Sequence, residues 1–336
     1  MKRSSRGTIW SATFGARAAR AAGGLGLVAA ACAACAANTS GDTNVACRPI
    51  EQTTRARPAA FGGTVFTIVM ENHDRTQILG DPSAAPFIAE LAKQGAVAAG
   101  YHDAYVHPSE PNYIWMVAGE NFGILDDADP GPSNAIDATS HVADQIEAAG
   151  LTWKAYEESM GAPCGLVSHG EYAVKHDPFA YFDDVSGWNG HDFSPSTRCR
   201  EHLVDYGELE ADLASGDVPD YAFITPNLVH DMHDGSVQEG DAWLSREVSK
   251  ILASDAFKRG GVLFLLWDEG ASSGDSPPFI VLSPNARAGF VSHADYDTSA
   301  YLKTVEAILG LEALPCAADP TTVPTMDDLF SAKLSP

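Results

Sequence analysis

Basic residues are scarce in this chain. Its 336 residues include 21 Lys and Arg against 45 Asp and Glu, and the formal net charge is −24. Nucleic-acid binding relies on Lys and Arg contacts with phosphates, so we expect no nucleic-acid partner. Tight electrostatic adhesion to anionic lipid is disfavoured for the same reason. If such a chain acts on phosphate groups, it needs a local positive charge, and a metal ion is the simplest source.

Long apolar runs are also lacking, except near the N-terminus. Five basic residues and no acidic residue accompany an apolar, small-residue run over 21–31, which is too short for a membrane span. We therefore expect residues 1–31 to be an export signal. Three alanines precede Cys32, which resembles a lipoprotein signal with Cys32 as the lipidated residue, although Ala stands where Leu is usual. Plain cleavage among the alanines is the alternative. The protein is expected to be secreted, periplasmic or tethered by Cys32 at a bacterial cell surface.

Cysteine is the third scarce residue, with six in the chain, two of them in the export-signal region. None has the local spacing of a zinc site. The even number that is left predicts two disulfides in an exported protein, with three pairings open. We favour one disulfide that closes a loop-rich segment and one that joins the chain ends; four buried thiols are the alternative. The favoured pairs are Cys164–Cys199 and Cys47–Cys316.

The chain is rich instead in alternating strand-like and helix-like segments. The strand-like runs are mostly continuous apolar stretches, which is typical of strands covered on both faces. Gly150 and Gly310 follow two helical segments and favour helix ends there. The predicted strands are 64–70, 97–101, 152–156, 220–225, 261–267 and 278–282. The predicted helices are 84–95, 111–118, 138–149, 206–215, 240–257 and 298–309.

This alternation predicts an α/β fold: a three-layer α/β/α sandwich with a mostly parallel central sheet. No linker divides residues 61–336, so we expect one domain there, preceded by a polar linker over 32–60. The segment at about 160–202 interrupts the alternation with Gly, Asp, Pro and aromatic residues. We expect it to be an insert over the active face, closed by the first disulfide.

Polar clusters follow two of the predicted strands. Glu71-Asn72-His73 comes after strand 64–70, and Asp268-Glu269 comes after strand 261–267. Ligands in open α/β sheets bind outside the carboxyl ends of strands, and carboxylate and amide oxygens suit hard divalent cations. A turn at Asn72 and a solvated loop start at Asp268 are the ordinary alternatives.

Ser109 lies in the segment His107-Pro-Ser109-Glu-Pro-Asn112. We predict that it is the N-cap of the following helix, with Pro111 in the first turn. A hydroxyl at this end of a helix meets the positive end of the helix dipole, where a phosphate also binds well. Contact with a metal would make it a nucleophile. A purely structural N-cap is the alternative.

A further cluster, His230-Asp-Met-His233-Asp234, follows strand 220–225. Imidazoles flanked by carboxylates can contact phosphoryl oxygens or protonate a leaving group. His293, before the last predicted helix, is a weaker candidate that could close the site from another side.

Together these clusters resemble one family: the bacterial phosphoesterases that include acid phosphatases and phosphatidylcholine-type phospholipases C, within the alkaline-phosphatase-like superfamily. Further segments share the resemblance, and all occur in the family's order over about residues 64–311. They are Lys175-His176-Asp-Pro178, Phe223-Ile-Thr-Pro-Asn227, Gly240-Asp-Ala-Trp-Leu244 and Trp267-Asp-Glu269.

The resemblance implies roles for the matching residues. Glu71, Asn72, Asp268 and Glu269 would be metal ligands, and Ser109 would be the nucleophile, with its oxygen also on the metal. A phosphate-contacting and acid/base group would include His230, His233, Asp234 and His293, with Asn112 as a weaker substrate-binding member. The run His73-Asp74 and the Gly-Ala-Ser-Ser-Gly stretch after Glu269 depart from the usual pattern.

The function that follows is an exported, metal-dependent phosphoric-ester hydrolase. We expect an acid phosphatase, a phosphomonoesterase working through a phosphoserine on Ser109. Its substrates would be small phosphate esters or phospholipid and phosphoinositide head groups. The cation could be Ca²⁺, Mg²⁺, Mn²⁺, Zn²⁺ or iron, because these ligands do not select sharply. The alternatives are a phospholipase C-like phosphodiesterase and an inactive binding lipoprotein on a phosphatase fold.

Overall fold

One eight-stranded sheet lies at the centre of the protein. The computed structural model describes residues 55–137, 140–271, 276–314 and 323–334. All six predicted strands are present, and two short ones are added, β4 and β8. The strands are β1 Val65–Met70, β2 Ala96–Ala98, β3 Trp153–Glu157, β4 Leu203–Asp205, β5 Tyr221–Thr225, β6 Val262–Trp267, β7 Phe279–Leu282 and β8 Phe290–Ser292.

The sheet is mostly parallel, as predicted. The strand order is β4-β3-β5-β1-β6-β7-β2-β8, and only β7 runs antiparallel to its two neighbours. β1 therefore lies between β5 and β6, with all three carboxyl ends at the same edge. Met70 is in register with Trp267, and the N–H of Asp268 donates to the carbonyl of Met70 at 3.0 Å. The residues that follow β1 and β6 consequently emerge side by side.

Ten α-helices occur in the described residues. Gly150 and Gly310 have φ angles of 72° and 75°, the left-handed conformation predicted at these helix ends. The predicted helix 240–257 is broken at Ser254, whose hydroxyl caps a separate short helix by accepting from Phe257 N–H. The helices are α1 Arg75–Ile78, α2 Pro86–Gln94, α3 Ser109–Ala118, α4 Val142–Ala148, α5 Asp183–Ser186, α6 Thr197–His202, α7 Gly207–Ser215, α8 Val237–Ala253, α9 Asp255–Lys258 and α10 Thr298–Leu309.

Both faces of the sheet are covered by helices. Side chains alternate along a strand, and β1 shows the consequence. Val65 and Val69 belong to a buried apolar cluster that includes residues of α3, α4 and α10. Phe66 and Ile68 belong to a second cluster that includes residues of α2, α7, α8 and α9. The predicted α/β/α sandwich is thus confirmed.

The insert over 160–202 contributes to the edge where β1 ends. It contains two 3-10 helices, Val174–His176 and Pro178–Tyr181, and Phe179 packs in the same cluster as α3. The predicted Cys164–Cys199 disulfide is present, with Cα atoms 5.2 Å apart. The favoured Cys47–Cys316 pair, Cys32 and the export signal over 1–31 lie outside the described residues. Among the helices described, none is both long and apolar enough to cross a membrane.

Candidate active site

The carboxylate of Glu71 lies at the centre of the candidate site. It directly follows β1 and is fully buried. Its Oε2 accepts a hydrogen bond from Ser109 Oγ at 3.0 Å and from Asn72 Nδ2 at 2.9 Å. Asn72 has a φ of 51°, which Asn tolerates better than most residues, and its N–H donates to Asp268 Oδ1 at 3.2 Å. The structure thus brings four predicted site residues together.

The second pair of predicted ligands follows β6. Asp268 is fully buried, and Glu269 is nearly so. Glu269 Oε2 accepts from Asn112 Nδ2 at 3.0 Å and lies 2.5 Å from Nδ1 of His107. Asn112 Nδ2 also donates to the carbonyl of Val106 at 2.7 Å. The amide hydrogens of Asn112 are therefore engaged within the protein, where they hold Glu269 in place.

These buried carboxylates repel one another. Burial is the main reason that the pKa of Glu71 lies well above its usual value, and the charge of Asp231 raises it further. Burial likewise raises the pKa of Asp268 well above its usual value, and the charges of Glu71 and Glu269 add to this effect. Glu71 Oε1 and Asp268 Oδ2 have no hydrogen-bond partner among the described residues. Such a group is costly unless a cation compensates it, and its hard oxygen atoms are of the type that divalent cations prefer.

Ser109 is placed differently from our prediction. It is the first residue of α3, and Pro108 occupies the N-cap position, so the N-cap assignment is wrong by one residue. The hydroxyl donates to Glu71 instead of capping the helix. The cap is supplied by Asp127, whose Oδ1 accepts from the N–H of Glu110 at 3.0 Å. The buried Ser109 hydroxyl therefore contacts the carboxylate group and does not cap the helix.

Of the predicted acid/base residues, His233 and Asp234 lie near this group. His233 Nδ1 is 2.8 Å from Asp234 Oδ1, and its Nε2 is 3.4 Å from Lys175 Nζ. The His233 ring centroid lies 6.0 Å from that of His176, a buried residue whose Nε2 is 3.1 Å from Glu71 Oε1. His233 is thus separated from Glu71 by one side chain.

His230 and His293 are not brought into contact with the carboxylate group in the described part of the chain. His230 Nδ1 lies 2.8 Å from Glu158 Oε2, and its ring stacks on Trp243 with centroids 6.1 Å apart. His293 is exposed and follows β8, the edge strand of the sheet. Their proposed roles stay predictions.

Three further residues of the site were not predicted: Lys175, His176 and Asp231. His176 Nδ1 lies 3.3 Å from Asp231 Oδ2, and Lys175 Nζ donates to Asp127 Oδ2 at 2.8 Å. Burial lowers the pKa of His176 well below its usual value and raises that of Asp231 to about 7. The signal was available, because Lys175-His176-Asp-Pro178 was part of the family resemblance and Asp231 adjoins His230. Sequence alone gave no spatial reason to assign them roles.

A second group of metal-ligand types lies elsewhere. Ligand atoms of His141, Asp144 and Asp184 are within 4.8 Å of one another. Arg198 contacts both carboxylates of this group and also Glu147. A guanidinium thus already neutralises these acids, and a metal would have to displace it. The Glu71 group, with its unpartnered oxygens, is the better candidate metal centre.

The chain is similar to known phosphatases over most of its length. The model of the Phosphoesterase family matches residues 37–312. A phosphatidylinositol-3-phosphatase of Mycobacterium tuberculosis is 32% identical over 79% of this chain and 82% of its own length. A probable acid phosphatase of Kluyveromyces lactis is 30% identical over 72% of this chain, and an acid phosphatase of Aspergillus fumigatus is 28% identical over 80%. The chain spans 57% and 59% of the lengths of these two fungal proteins.

Solved structures support the fold. An alkaline phosphatase superfamily protein from Vibrio parahaemolyticus superposes with a TM-score of 0.52 at 15% identity, covering 85% of this chain and 77% of that one. A phosphonate monoester hydrolase from Silicibacter pomeroyi gives a TM-score of 0.52 at 10% identity, covering 81% and 77%. The family match and the similar phosphatases show that the chain belongs to the phosphoesterase family and is a phosphoric-ester hydrolase.

Proposed function

We propose that this protein is an exported, metal-dependent acid phosphatase that works through a phosphoserine on Ser109. One observation carries the proposal. A buried hydroxyl at the start of α3 donates to the fully buried carboxylate of Glu71, and the neighbouring carboxylate of Asp268 has an unpartnered oxygen. A candidate nucleophile and a group of carboxylates with unpartnered oxygens therefore lie at one place.

The metal would be held by Glu71, Asn72, Asp268 and Glu269, together with the Ser109 oxygen. These residues supply carboxylate, amide and hydroxyl oxygens, which fit a divalent cation and do not select its identity among Ca²⁺, Mg²⁺, Mn²⁺, Zn²⁺ and iron. When bound, the cation would offset negative charge on the Ser109 oxygen and on the phosphate.

The protein's own residues would then divide the remaining work. The Ser109 hydroxyl, which donates to Glu71, would lose its proton to solvent before the reaction. Its oxygen would then form a bond to phosphorus while the bond to the leaving alcohol breaks. His233, held by Asp234, would give the leaving oxygen its proton. Water would later give a proton to His233 and form a bond to phosphorus as the Ser109 oxygen departs. Lys175, which lies beside His233, would balance charge on the phosphate.

The substrate would be a phosphate monoester. Three of the similar proteins reported above are named as phosphatases, and one name specifies a phosphoinositide. Small phosphate esters and phosphoinositide head groups are therefore the two substrate classes to compare. If Cys32 is lipidated, the enzyme would be tethered close to lipid head groups.

Replacing the nucleophile tests the mechanism. Ser109→Ala should lower kcat on p-nitrophenyl phosphate by about 10³-fold or more, because removal of a nucleophile leaves only binding and electrostatic effects. Ser109→Thr, which keeps a hydroxyl, should retain substantial turnover and a phosphorylated intermediate detectable by mass spectrometry. An alanine variant that keeps a tenth of the wild-type rate would eliminate Ser109 as the nucleophile.

Chelation tests the metal and the substrate class in the same assay. Activity should vanish after EDTA treatment and return with one divalent ion. Turnover of p-nitrophenyl phosphate should exceed that of p-nitrophenyl phosphorylcholine. Preference for the choline diester would replace the monoesterase assignment by a phospholipase C-like one, and full activity in chelator would remove the metal from the proposal.

A further inference from the structure

We propose that His176 and Asp231 are positioning residues, which hold the carboxylate of Glu71 in the orientation that metal binding needs. This inference rests on the proposed function, in which Glu71 is a metal ligand. Neither residue would touch the metal or the substrate. Both would act through Glu71.

The ring of His176 has little freedom to move. Its exposed fraction is 1%, and it stacks on Tyr113 with ring centroids 4.9 Å apart and planes inclined by 12°. In this orientation Nε2 lies 3.1 Å from Glu71 Oε1, and Nδ1 lies 3.3 Å from Asp231 Oδ2. Packing thus fixes the ring, and both ring nitrogens face buried carboxylates.

The two oxygens of Glu71 face different partners. Oε2 accepts from Ser109 and Asn72, which are the residues of the proposed metal centre. Oε1 faces His176. The His176 ring therefore lies against the oxygen that Ser109 and Asn72 leave without a hydrogen-bond partner. A neighbouring group that limits the orientation of a ligand carboxylate raises its metal affinity.

Asp231 connects this imidazole to the rest of the site. Its backbone carbonyl accepts from the N–H of Glu71 at 2.9 Å, and its Oδ1 accepts from the N–H of His233 at 2.7 Å. Its Oδ2 faces His176. Asp231 is fully buried. Its backbone contacts Glu71, and its side chain contacts the His176 ring and the proposed acid His233.

A simpler interpretation is that His176 only fills space against Tyr113. A phenyl ring would fill the same space and keep the stacking, but it would remove both nitrogens. His176→Phe therefore separates packing from positioning. His202→Phe is a matched control, because the His202 ring also stacks on an aromatic residue, Trp153, with centroids 4.4 Å apart, and lies outside the site.

Metal affinity is the decisive measurement. Wild-type and variant proteins would be chelated, dialysed and titrated calorimetrically with Ca²⁺, Mg²⁺, Mn²⁺, Zn²⁺ and Fe²⁺, each alone. We expect His176→Phe to bind the preferred ion about 10- to 100-fold more weakly, as is typical when a residue behind a metal ligand is removed. His202→Phe should bind it within twofold of wild type. The thermal midpoint of each metal-free variant shows that the fold is kept.

Asp231→Asn gives a second route if His176→Phe fails to fold. It should weaken metal binding in the same direction, and the double variant should lose less than the sum of the two single losses, because both act on Glu71. Unchanged affinity in a folded His176→Phe variant, or in Asp231→Asn, overturns this inference and leaves the proposed function standing. A wild-type protein that binds none of these ions would overturn both.

Discussion

Asp268 is a residue whose proposed role in metal binding conflicts with the stability of the metal-free protein. It is fully buried, has one oxygen without a hydrogen bond among the described residues, and lies beside Glu71 and Glu269. In the metal-free protein we expect Asp268→Asn to raise the unfolding midpoint by about 2–4 °C, equivalent to ~1 kcal/mol for a domain of this size, because one of three repelling acids is removed. The same change should abolish metal binding and turnover.

A thermal melt in EDTA and a metal titration would measure the expected gain in stability and the expected loss of metal binding. The exposed Asp192 provides a control, since Asp192→Asn should change neither quantity. An Asp268→Asn variant that is less stable without metal, or that still binds metal at wild-type affinity, contradicts the view that a cation compensates this group.

At the same scale, the sequence predicted the site unevenly. Glu71, Asn72, Ser109 and Asp268 meet as expected, because each follows a strand or opens a helix at one edge of the sheet. His176 could not be placed from its spacing, since it reaches Glu71 through an irregular insert. The sequence likewise could not show that His233, and not His230, lies near the carboxylate group. The two residues are three positions apart in a turn, and their side chains have different neighbours in the structure.

Among the elements, the insert over 160–202 is closed by a disulfide. Cys164 and Cys199 are separated by 35 residues and enclose Lys175 and His176. Reduction, or the pair Cys164→Ser and Cys199→Ser, should lower the free energy of unfolding by roughly 2–4 kcal/mol, because the unfolded chain regains loop entropy. Activity should fall at a lower temperature than it does in wild type, since the insert carries site residues.

Denaturant unfolding with and without reductant, read alongside turnover, would measure this. A variant with both Cys47→Ser and Cys316→Ser cannot form the second predicted disulfide. The effect of reductant on that variant therefore isolates the contribution of the Cys164–Cys199 bond. Equal stability of the oxidised and reduced forms in that background would show that the insert does not rely on the disulfide.

The elements themselves were largely predictable. Continuous apolar runs identified the strands that form the middle of the sheet, because strands covered on both faces are apolar throughout. The three-residue strands β4 and β8 could not be recognised as separate strands, since their pairing to β3 and β2 is a tertiary effect. The predicted helix 111–118 was two residues shorter than α3, since Ser109 and Glu110 both belong to the helix and Pro108 holds the N-cap position.

For the whole molecule, buried acids imply that mild acid favours the folded state. Burial raises the pKa of Glu306 to about 8 and that of Glu110 to about 9, and it raises the pKa of Asp177 to about 7. Where a carboxyl has a higher pKa in the folded protein, the folded state binds more protons, and stability falls as pH rises through that pKa. The net charge of −24 acts in the same direction, since repulsion grows as further acids ionise. Both effects suit the acid phosphatase proposed above.

Glu306 allows this to be tested away from the site. It lies in α10, is 1% exposed, and accepts from the N–H of Leu314 at 2.9 Å. Its stabilising contribution is fully present below the usual carboxyl pKa of 4.5 and is lost as pH rises through about 8. Glu306→Gln keeps an acceptor but cannot ionise. Between mildly acidic and alkaline pH, its free energy of unfolding should therefore fall by roughly a few kcal/mol less than that of wild type, at about 1.4 kcal/mol per pKa unit.

Urea unfolding across that pH range in chelator would measure this, with the exposed Glu210→Gln as control. Plotted against pH, the free energies of unfolding of Glu306→Gln and wild type should converge in acid and diverge in base. Parallel curves for Glu306→Gln and wild type would mean that this buried acid does not set the pH dependence.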